Sequence, residues 1–394
     1  MGPIQVEGLS RFDAASVEAM RTFSPGTPYS DKLILDYQER LRKLGLFETV
    51  AVEIDPNPAT AAAAPVRVRV REQTLQQATT GIGFSDRAGP RVQLEHTHRR
   101  VFGTPWVAKN KFELGRDQQQ WQGELLSYPL DNGYRNLVAG NLQREEAAGT
   151  LVRSSRLRVG RTLDTEALER LVFLEALSAS TQTDINSNVR TPTINTSNRA
   201  LSANVHWLRR SLDDVLLPTD GESANAQLAA GYALGGGPAT NGPFTRAYGR
   251  LTAYRPVGRR WYATARVEAG QVFAGDQVGI PDTLLFRAGG DDSVRGYGYR
   301  TLGPVEAGVV RSARVLLTGS LEFARPLSSR WPSVWGATFI DAGNAADHWN
   351  SLDPVLGYGV GVRWRSPVGP LRVDLAYGQE VRKARVHFSL GVTF

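Results

Sequence analysis

The chain of 394 residues contains no cysteine. This absence excludes disulfide bonds, thiol nucleophiles and zinc sites built on thiolates. The sequence also lacks any run approaching the roughly 20 apolar residues that a membrane-spanning helix needs, which excludes a helical membrane protein. No basic stretch followed by an apolar one comes after Met1, so we expect the native chain to begin further upstream.

A strong excess of one charge is missing as well. The 46 basic and 39 acidic residues leave a net charge of +7, and the arginines are scattered over alternating segments instead of forming one patch. A nucleic-acid-binding protein would concentrate its basic residues, so we predict no nucleic-acid partner. We interpret the scattered arginines as the lining of a polar lumen, because charged groups tolerate a watery channel but not lipid.

Residues 1–74 are predicted to form a small α+β domain in the order β-α-α-β-β. A strand is predicted at Ile4–Glu7. Asp13 can cap the first helix, and Ser30 or Asp31 can cap the second, longer one. Two further strands are predicted from Phe47 to Ile54 and from Val66 to Val70. The longer helix has an apolar face formed by Leu33, Ile34, Tyr37, Leu41 and Leu44.

From residue 75 to residue 394 the pattern changes to sustained alternation of polar and apolar residues. Segments of about ten residues have the length of tilted transmembrane strands. In the clearest one, Trp261 and Val267 share one face, whereas Arg266 and Glu268 share the other. We predict a transmembrane β-barrel of 16 antiparallel strands, an even number that permits closure. The strands are predicted at residues 76–85, 90–99, 105–115, 118–128, 135–145, 150–162, 168–181, 198–209, 224–234, 244–255, 260–273, 312–325, 333–343, 355–366, 370–379 and 385–394.

The alternation also predicts which side chains face the lumen. Glu322 falls on the lumenal face of its strand. Asp341 shares parity with Phe339 and Trp335, and Trp335 lies near a strand end, where aromatic residues typically meet the membrane interface. Alternation alone therefore does not place Asp341 inward.

The alternatives to a transport barrel are a barrel with a metal or catalytic site and a passive porin. Asp282 with Asp291 and Asp292, or His96 with His98, could be taken for metal ligands, but no complete ligand set is apparent, and we predict no metal. No nucleophile-base arrangement stands out, so we predict neither an enzyme nor a cofactor. A passive porin stays open as an alternative, and single-channel conductance would separate it from a transport barrel.

Several motifs follow one another in the second part of the chain. They are Val294-Arg295-Gly296-Tyr297 in the long loop 274–310, Gly319–Glu322, Phe339–Asn344, Gly361–Arg372, and a C-terminal row of Phe388, Leu390, Val392 and Phe394. Together they resemble the superfamily of BamA, TamA and the two-partner-secretion exporters. Gly289–Tyr299 with the following Leu302-Gly303-Pro304 is most similar to TamA, the outer-membrane subunit of the translocation and assembly module. Ser389 departs from the glycine that the C-terminal signal often carries.

The resemblance implies a function and a set of partners. Residues 1–74 would be a POTRA domain in the periplasm, and the barrel would lie in outer-membrane lipid of a Gram-negative bacterium. Client β-barrel proteins such as autotransporters would be inserted or secreted, with a TamB-like periplasmic partner anchored in the inner membrane. The alternatives within the superfamily are a two-partner-secretion exporter and a BamA-type central assembly factor.

The resemblance also implies two sites. The loop 274–310 would fold into the lumen, where Arg295 would meet Glu322 and Asp341. The seam between the first and last strands is predicted to be the functional opening. The first strand has two glycines, Gly81 and Gly83, flanking Ile82, and glycine removes packing surface and raises the entropy lost on ordering. The last strand, by contrast, carries the bulky row from Phe388 to Phe394.

Overall fold

The computed structural model describes the chain except for residues 55–62, 86–88, 131–132, 166, 184–193, 216, 307, 367–368 and 391–394. The side chains of residues 85, 194, 366, 369, 370 and 390 are likewise not described. Among the described residues, no helix has the length and apolar character needed to cross a membrane.

The N-terminal module, residues 1–74, contains three strands and two helices among its described residues. Strand β1 lies parallel to the central strand β3, and β2 lies antiparallel on the other side of β3. This arrangement has the β-α-α-β-β order expected from the sequence. The elements are β1 (Ile4–Glu7), α1 (Ala14–Glu18), α2 (Asp31–Lys43), β2 (Phe47–Ile54) and β3 (Val66–Glu72).

The module has an apolar core of the kind found in water-soluble domains. The helical spacing on α2 buries Tyr37 and Leu41 completely against the sheet, while the alternation on β3 does the same for Val66 and Val68. The Tyr37 hydroxyl donates a hydrogen bond to the carbonyl of Val17, 2.9 Å away, so its polar atom is paired inside the core.

The second part of the chain is one 16-stranded antiparallel sheet that curls into a nearly closed barrel. The predicted fold class is therefore confirmed. The barrel strands are β4 (Gln76–Ser85), β5 (Gly89–His98), β6 (Trp106–Gly115), β7 (Gln118–Ser127), β8 (Arg135–Ala147), β9 (Thr150–Asp164), β10 (Leu168–Thr183), β11 (Ile194–Leu212), β12 (Gly221–Leu234), β13 (Gly242–Val257), β14 (Trp261–Ala274), β17 (Val315–Pro326), β18 (Val334–Ala346), β19 (Val355–Ser366), β20 (Gly369–Gly378) and β21 (Lys383–Leu390); β15 (Val305–Glu306) and β16 (Val309–Val310) form a small hairpin in the long loop.

Apolar side chains point outward over most of the wall, as a lipid-facing surface requires. On β19, Tyr358, Val360 and Val362 are exposed, whereas Arg363 is buried inside. Trp335 on β18 is an exception to our prediction. It lies inside the barrel at 7% exposure, against the ring of Tyr262 and beneath the guanidinium of Arg365, so the prediction that it faces the membrane interface is wrong.

The long loop between β14 and β17 folds back into the lumen and runs over residues 275–314. Its central part, residues 286–313, is here called the finger. Phe286 and Ala313 exchange two backbone hydrogen bonds of 2.8 Å at its root, and Ala288 and Leu302 exchange two of 2.9 Å further along. These closures leave Arg295 at the tip. The finger packs on the inner wall through an apolar cluster that includes Phe244 and Val272 of the strands.

The N-terminal module rests on the end of the barrel where β5 connects to β6 and β7 connects to β8. Arg99, beside the turn from β5 to β6, donates to the carbonyl of Gly45 at 2.8 Å and to that of Thr74 at 2.9 Å. Arg135, at the start of β8, reaches the carbonyl of Leu44 at 3.1 Å. The root of the finger therefore lies at the opposite end of the barrel.

Candidate functional site

The tip of the finger places one guanidinium among three carboxylates of the barrel wall. Arg295 donates through Nε to Asp341 at 2.7 Å and through Nη2 to the other oxygen of Asp341 at 2.9 Å. Its Nη1 lies 2.8 Å from Glu322 and 3.1 Å from Asp374. Two predicted partners are thus brought to the predicted arginine, and the fork against Asp341 is bidentate. The alternation could not place Asp341, which is completely buried and faces inward.

Two residues of this cluster had no assigned role in the sequence. Arg363 on β19 donates to both oxygens of Glu322, at 2.9 and 2.7 Å, and also pairs with Asp374 on β20. Asp374 was recognisable, because Val373 and Leu375 beside it are apolar and point outward. We call the set Arg295, Glu322, Asp341, Arg363 and Asp374 the tip anchor.

The tip anchor joins the finger to side chains of four neighbouring strands, β17 to β20. Three carboxylates face two guanidinium groups, so each guanidinium is paired and one negative charge remains in the cluster. The guanidinium of Arg295 also lies 3.4 Å above the ring centre of Phe339. Such an arrangement is stable only while complete, since removing one partner strands buried charge.

Glycine makes this close approach possible. Gly296 has a φ of 95°, a left-handed conformation that favours glycine, and an added Cβ there would meet the backbone of Tyr377 and Gly378 below 3 Å. On the wall, a Cβ at Gly357 would lie 1.9 Å from the carbonyl oxygen of Arg295. The loop backbone thus lies directly on the backbone of β19 and β20.

The remaining motif residues fix the tip on the last strands. Val294 is completely buried. The Tyr297 hydroxyl donates to the carbonyl of Leu356 at 3.0 Å and accepts from the backbone N–H of Glu380 at 3.2 Å. The backbone N–H of Gly296 donates to Nε2 of His387 at 2.9 Å. His387 lies on β21 and is a contact that the sequence did not single out, although alternation with Val386 and Phe388 places it inward.

The seam joins the first barrel strand, β4, to the last, β21. Within the part of the chain that the structure describes, the sheet runs from β21 to β4 without backbone pairing between these two ends. The rings of Phe84 and Phe388 meet across the seam with centres 6.0 Å apart.

The predicted seam residues take different positions around this junction. Ile82 is 86% exposed, and an added Cβ at Gly81 would meet nothing within 4 Å. Gly83 lies beside the side chain of Arg91. Of the other predicted seam residues, Val392, Phe394 and the side chain of Leu390 lie outside the described residues.

With the inward finger, its arginine anchor and the seam in place, the chain can be compared with known proteins. Residues 102–394 match the Omp85 superfamily domain. The chain belongs to the Omp85 superfamily. This superfamily comprises outer-membrane barrels concerned with the insertion or secretion of proteins.

Similar Omp85 structures and relatives agree on the fold. BamA from Haemophilus ducreyi lacking POTRA domains 1–3 aligns with a TM-score of 0.78 at 17% identity, over 100% of this chain and 84% of that one. CdiB from Acinetobacter baumannii aligns with a TM-score of 0.59 at 13% identity, over 98% and 72%. In sequence, 118 residues are 36% identical to the chloroplastic outer envelope protein 80 of Arabidopsis thaliana. That match covers 27% of this chain and 14% of the plant protein.

Proposed function

We propose that this chain inserts client β-barrel proteins, such as autotransporters, into the outer membrane through the seam between β4 and β21. The step needs neither a nucleotide nor chemical catalysis. The observation that carries the proposal is the seam itself. Neighbouring strands elsewhere in the barrel are joined by continuous ladders, whereas β4 and β21 meet without such a ladder among the described residues.

The physics of the bilayer favours opening at this place. A strand edge in hydrocarbon must have its backbone groups paired, since each unsatisfied group costs several kcal/mol. A client strand that adds to the edge of β4 supplies backbone hydrogen bonds that β21 does not supply among the described residues. Gly81 contributes no side chain to hold β21 in place. Local opening of such an edge requires far less free energy than unfolding the barrel.

The tip anchor lies beside the seam and is proposed to hold the finger in its place. Gly296 of the motif Val294–Tyr297 is bonded to His387 on β21, one of the two seam strands. Displacement of β21 would break this bond, and release of the tip would free the last strands to move. In this proposal Arg295, Glu322 and Asp341 determine whether the wall next to the seam is rigid.

The N-terminal module is proposed to be a POTRA domain in the periplasm, and the chain to be of the TamA type. Support comes from the β-α-α-β-β order and from the TamA-like stretch Gly289–Tyr299. Strands β1 and β2 are the edges of a three-stranded sheet and can accept an added strand from a TamB-like partner or from a client.

A crosslink across the seam tests the proposal directly, because the chain has no cysteine of its own. Phe84→Cys with Phe388→Cys, joined by a short bis-maleimide, should abolish client insertion into lipid vesicles while heat-modifiable migration in gels stays normal. The matched control is Val92→Cys with Leu114→Cys, a lipid-facing pair on the ladder between β5 and β6. Insertion at the normal rate in the seam-crosslinked protein would refute the proposal.

The two-partner-secretion exporter is the second candidate, and the fold shared with CdiB is compatible with it. An exporter passes its client through the lumen and releases it, whereas an insertase leaves the client in the membrane. Expression of the full native chain with a tagged autotransporter therefore separates them: a membrane-integrated client supports insertion. Isolation of the native chain with its bound proteins also tests for a TamB-like partner.

A further inference from the structure

The finger is attached to the barrel at a second place, by residues outside the motif Val294–Tyr297. Two side chains at its base, those of Tyr299 and Arg300, contact β8 of the wall. Tyr299 donates from its hydroxyl to Oε1 of Glu145 on β8 at 2.9 Å. Nη1 of Arg300 lies 3.4 Å from the same oxygen.

This second cluster also ties the finger to its own root. Nη2 of Arg300 lies 3.4 Å from Asp282, and Arg287 lies 3.7 Å from the other oxygen of Asp282. Nε of Arg287 donates to Ser312 at 2.9 Å. Asp282, one of the acids named above as a candidate metal ligand, thus lies between two arginines.

The charges of this cluster balance. Two guanidinium groups, of Arg287 and Arg300, face the two carboxylates of Asp282 and Glu145. The side chain of Arg287 is 3% exposed and that of Glu145 is 7% exposed. Buried charges of this kind persist when each is paired, and the loss of one leaves its partner uncompensated.

The backbone of Arg300 also indicates that contacts with its surroundings hold this residue in place. Arg300 adopts a φ of 55°, a left-handed conformation that is unfavourable for an arginine. Strained conformations persist where surrounding contacts determine them. Here the contacts are the hydrogen bond from the Arg300 N–H to Gly289 at 3.2 Å and the ion pairs of its side chain.

We infer that Arg300 and Glu145, with Tyr299, form a base anchor that holds the finger across the end of the lumen far from the N-terminal module. Glu145 lies near that end of β8, since Arg135 at the start of β8 contacts the module. The tip anchor holds β17 to β20, and the base anchor holds β8. The finger is therefore fixed to two opposite parts of the barrel wall and crosses the lumen between them. In this position it blocks the passage of ions.

Conductance of the purified full chain in planar bilayers tests this inference without any client. Glu145→Gln keeps the shape of the side chain and removes its charge. The variant should raise the basal conductance several-fold and make the finger sensitive to trypsin. The matched control is Glu146→Gln, the next residue on β8, whose exposed carboxylate pairs with Arg144 on the other face. The control should behave as wild type.

A second variant acts from the loop side. Arg300→Ala should raise conductance as Glu145→Gln does, and the double variant should add little, because either change breaks the same contact. Should Glu145→Gln fail to show heat-modifiable migration, Arg300→Ala decides the question alone. Wild-type conductance and trypsin resistance in a folded anchor variant would overturn the inference. The seam crosslink tests client insertion separately, so the two ideas fail independently.

Discussion

The N-terminal module buries an apolar core, whereas the barrel lumen buries charged side chains together with apolar ones. Around α2 the interior is apolar, with Tyr37, Leu41 and Leu44 completely or almost completely buried. In the lumen charged groups are buried next to apolar ones: Asp341 is completely buried and Arg295 is 5% exposed, beside the completely buried Val294. The difference follows from the outer solvent: the module faces water, so its apolar side chains turn inward, whereas the barrel wall presents its apolar side chains to lipid.

The two interiors should also fail differently. An apolar core that loses atoms loses packing in proportion to the cavity left behind. A charged interior that loses one partner leaves uncompensated charges in place. The two regions can be followed separately in one sample: all eight tryptophans lie in the barrel, and the α-helices that the structure describes lie in the module.

The largest effect is expected from Arg295→Ala, which leaves three carboxylates with only Arg363 among them. Removing one partner of a buried ion pair typically costs about 3–5 kcal/mol. Urea unfolding followed by tryptophan fluorescence should therefore show a less stable barrel, while the helical circular dichroism of the module is unchanged. Arg330→Ala, an exposed arginine in a turn, is the control and should behave as wild type.

Glu322→Ala tests whether Arg295 and its carboxylate partners act as one unit. Because Glu322 and Arg295 belong to the same cluster, both single variants should release the finger, raise its protease sensitivity and lower client insertion. The double variant should be little worse than either single one. Fully additive losses of barrel stability and insertion rate would contradict the idea that the tip anchor acts as one unit.

A smaller effect, confined to the other region, is expected from Leu41→Ala. Leu41 is completely buried beneath α2, and leucine-to-alanine changes in cores cost about 2–5 kcal/mol. The midpoint of the helical transition should fall, with the tryptophan transition unchanged. Leu35→Ala on the exposed side of the same helix is the matched control. A parallel loss of barrel stability would show that the two regions fold as one.

The two regions were also predictable from the sequence to different degrees. Alternation predicted the limits of β4 and β19 in the barrel, because every second residue faces lipid. It was less accurate for β11, which runs from Ile194 to Leu212 and not over the predicted residues 198–209. Alternation failed at Trp335 and left Asp341 unplaced, since it equates apolar with outward. A lumen filled by a finger also buries aromatic rings, as Phe339 beneath Arg295 demonstrates.

The partners of the finger were less accessible to prediction than the finger itself. The family motif pointed to Arg295, but the base anchor joins residues 155 positions apart in the chain, Glu145 and Arg300. No local pattern marks such a pair. Only the path of the loop through the lumen determines it. His387 was hidden for the same reason, because its partner is a backbone N–H of the finger.

The smallest effect is expected from removing the charge of Glu72, the last residue of β3 in the N-terminal module. Its carboxylate accepts backbone N–H groups from Ser10, Arg11 and Phe12, each at 2.9 Å, and the Ser10 hydroxyl at 2.8 Å. Partial burial raises the pKa of Glu72, but these hydrogen bonds together lower it by more, so the pKa lies below its ordinary value of 4.5.

The lowered pKa gives the effect a defined pH dependence. The folded state binds the proton less tightly than the unfolded state, so the stabilisation is present above pH 4.5 and is lost as the pH falls below it. Because the site is largely open to solvent, the contribution is about 1 kcal/mol. Glu72→Gln should therefore lower the midpoint of the helical transition at neutral pH, and the difference from wild type should shrink in acid. Glu48→Gln, an exposed glutamate paired with Arg71 on the same sheet, is the control. A difference that stays constant from neutral to acid pH would mean that Glu72 stabilises the module by packing and not by its charge.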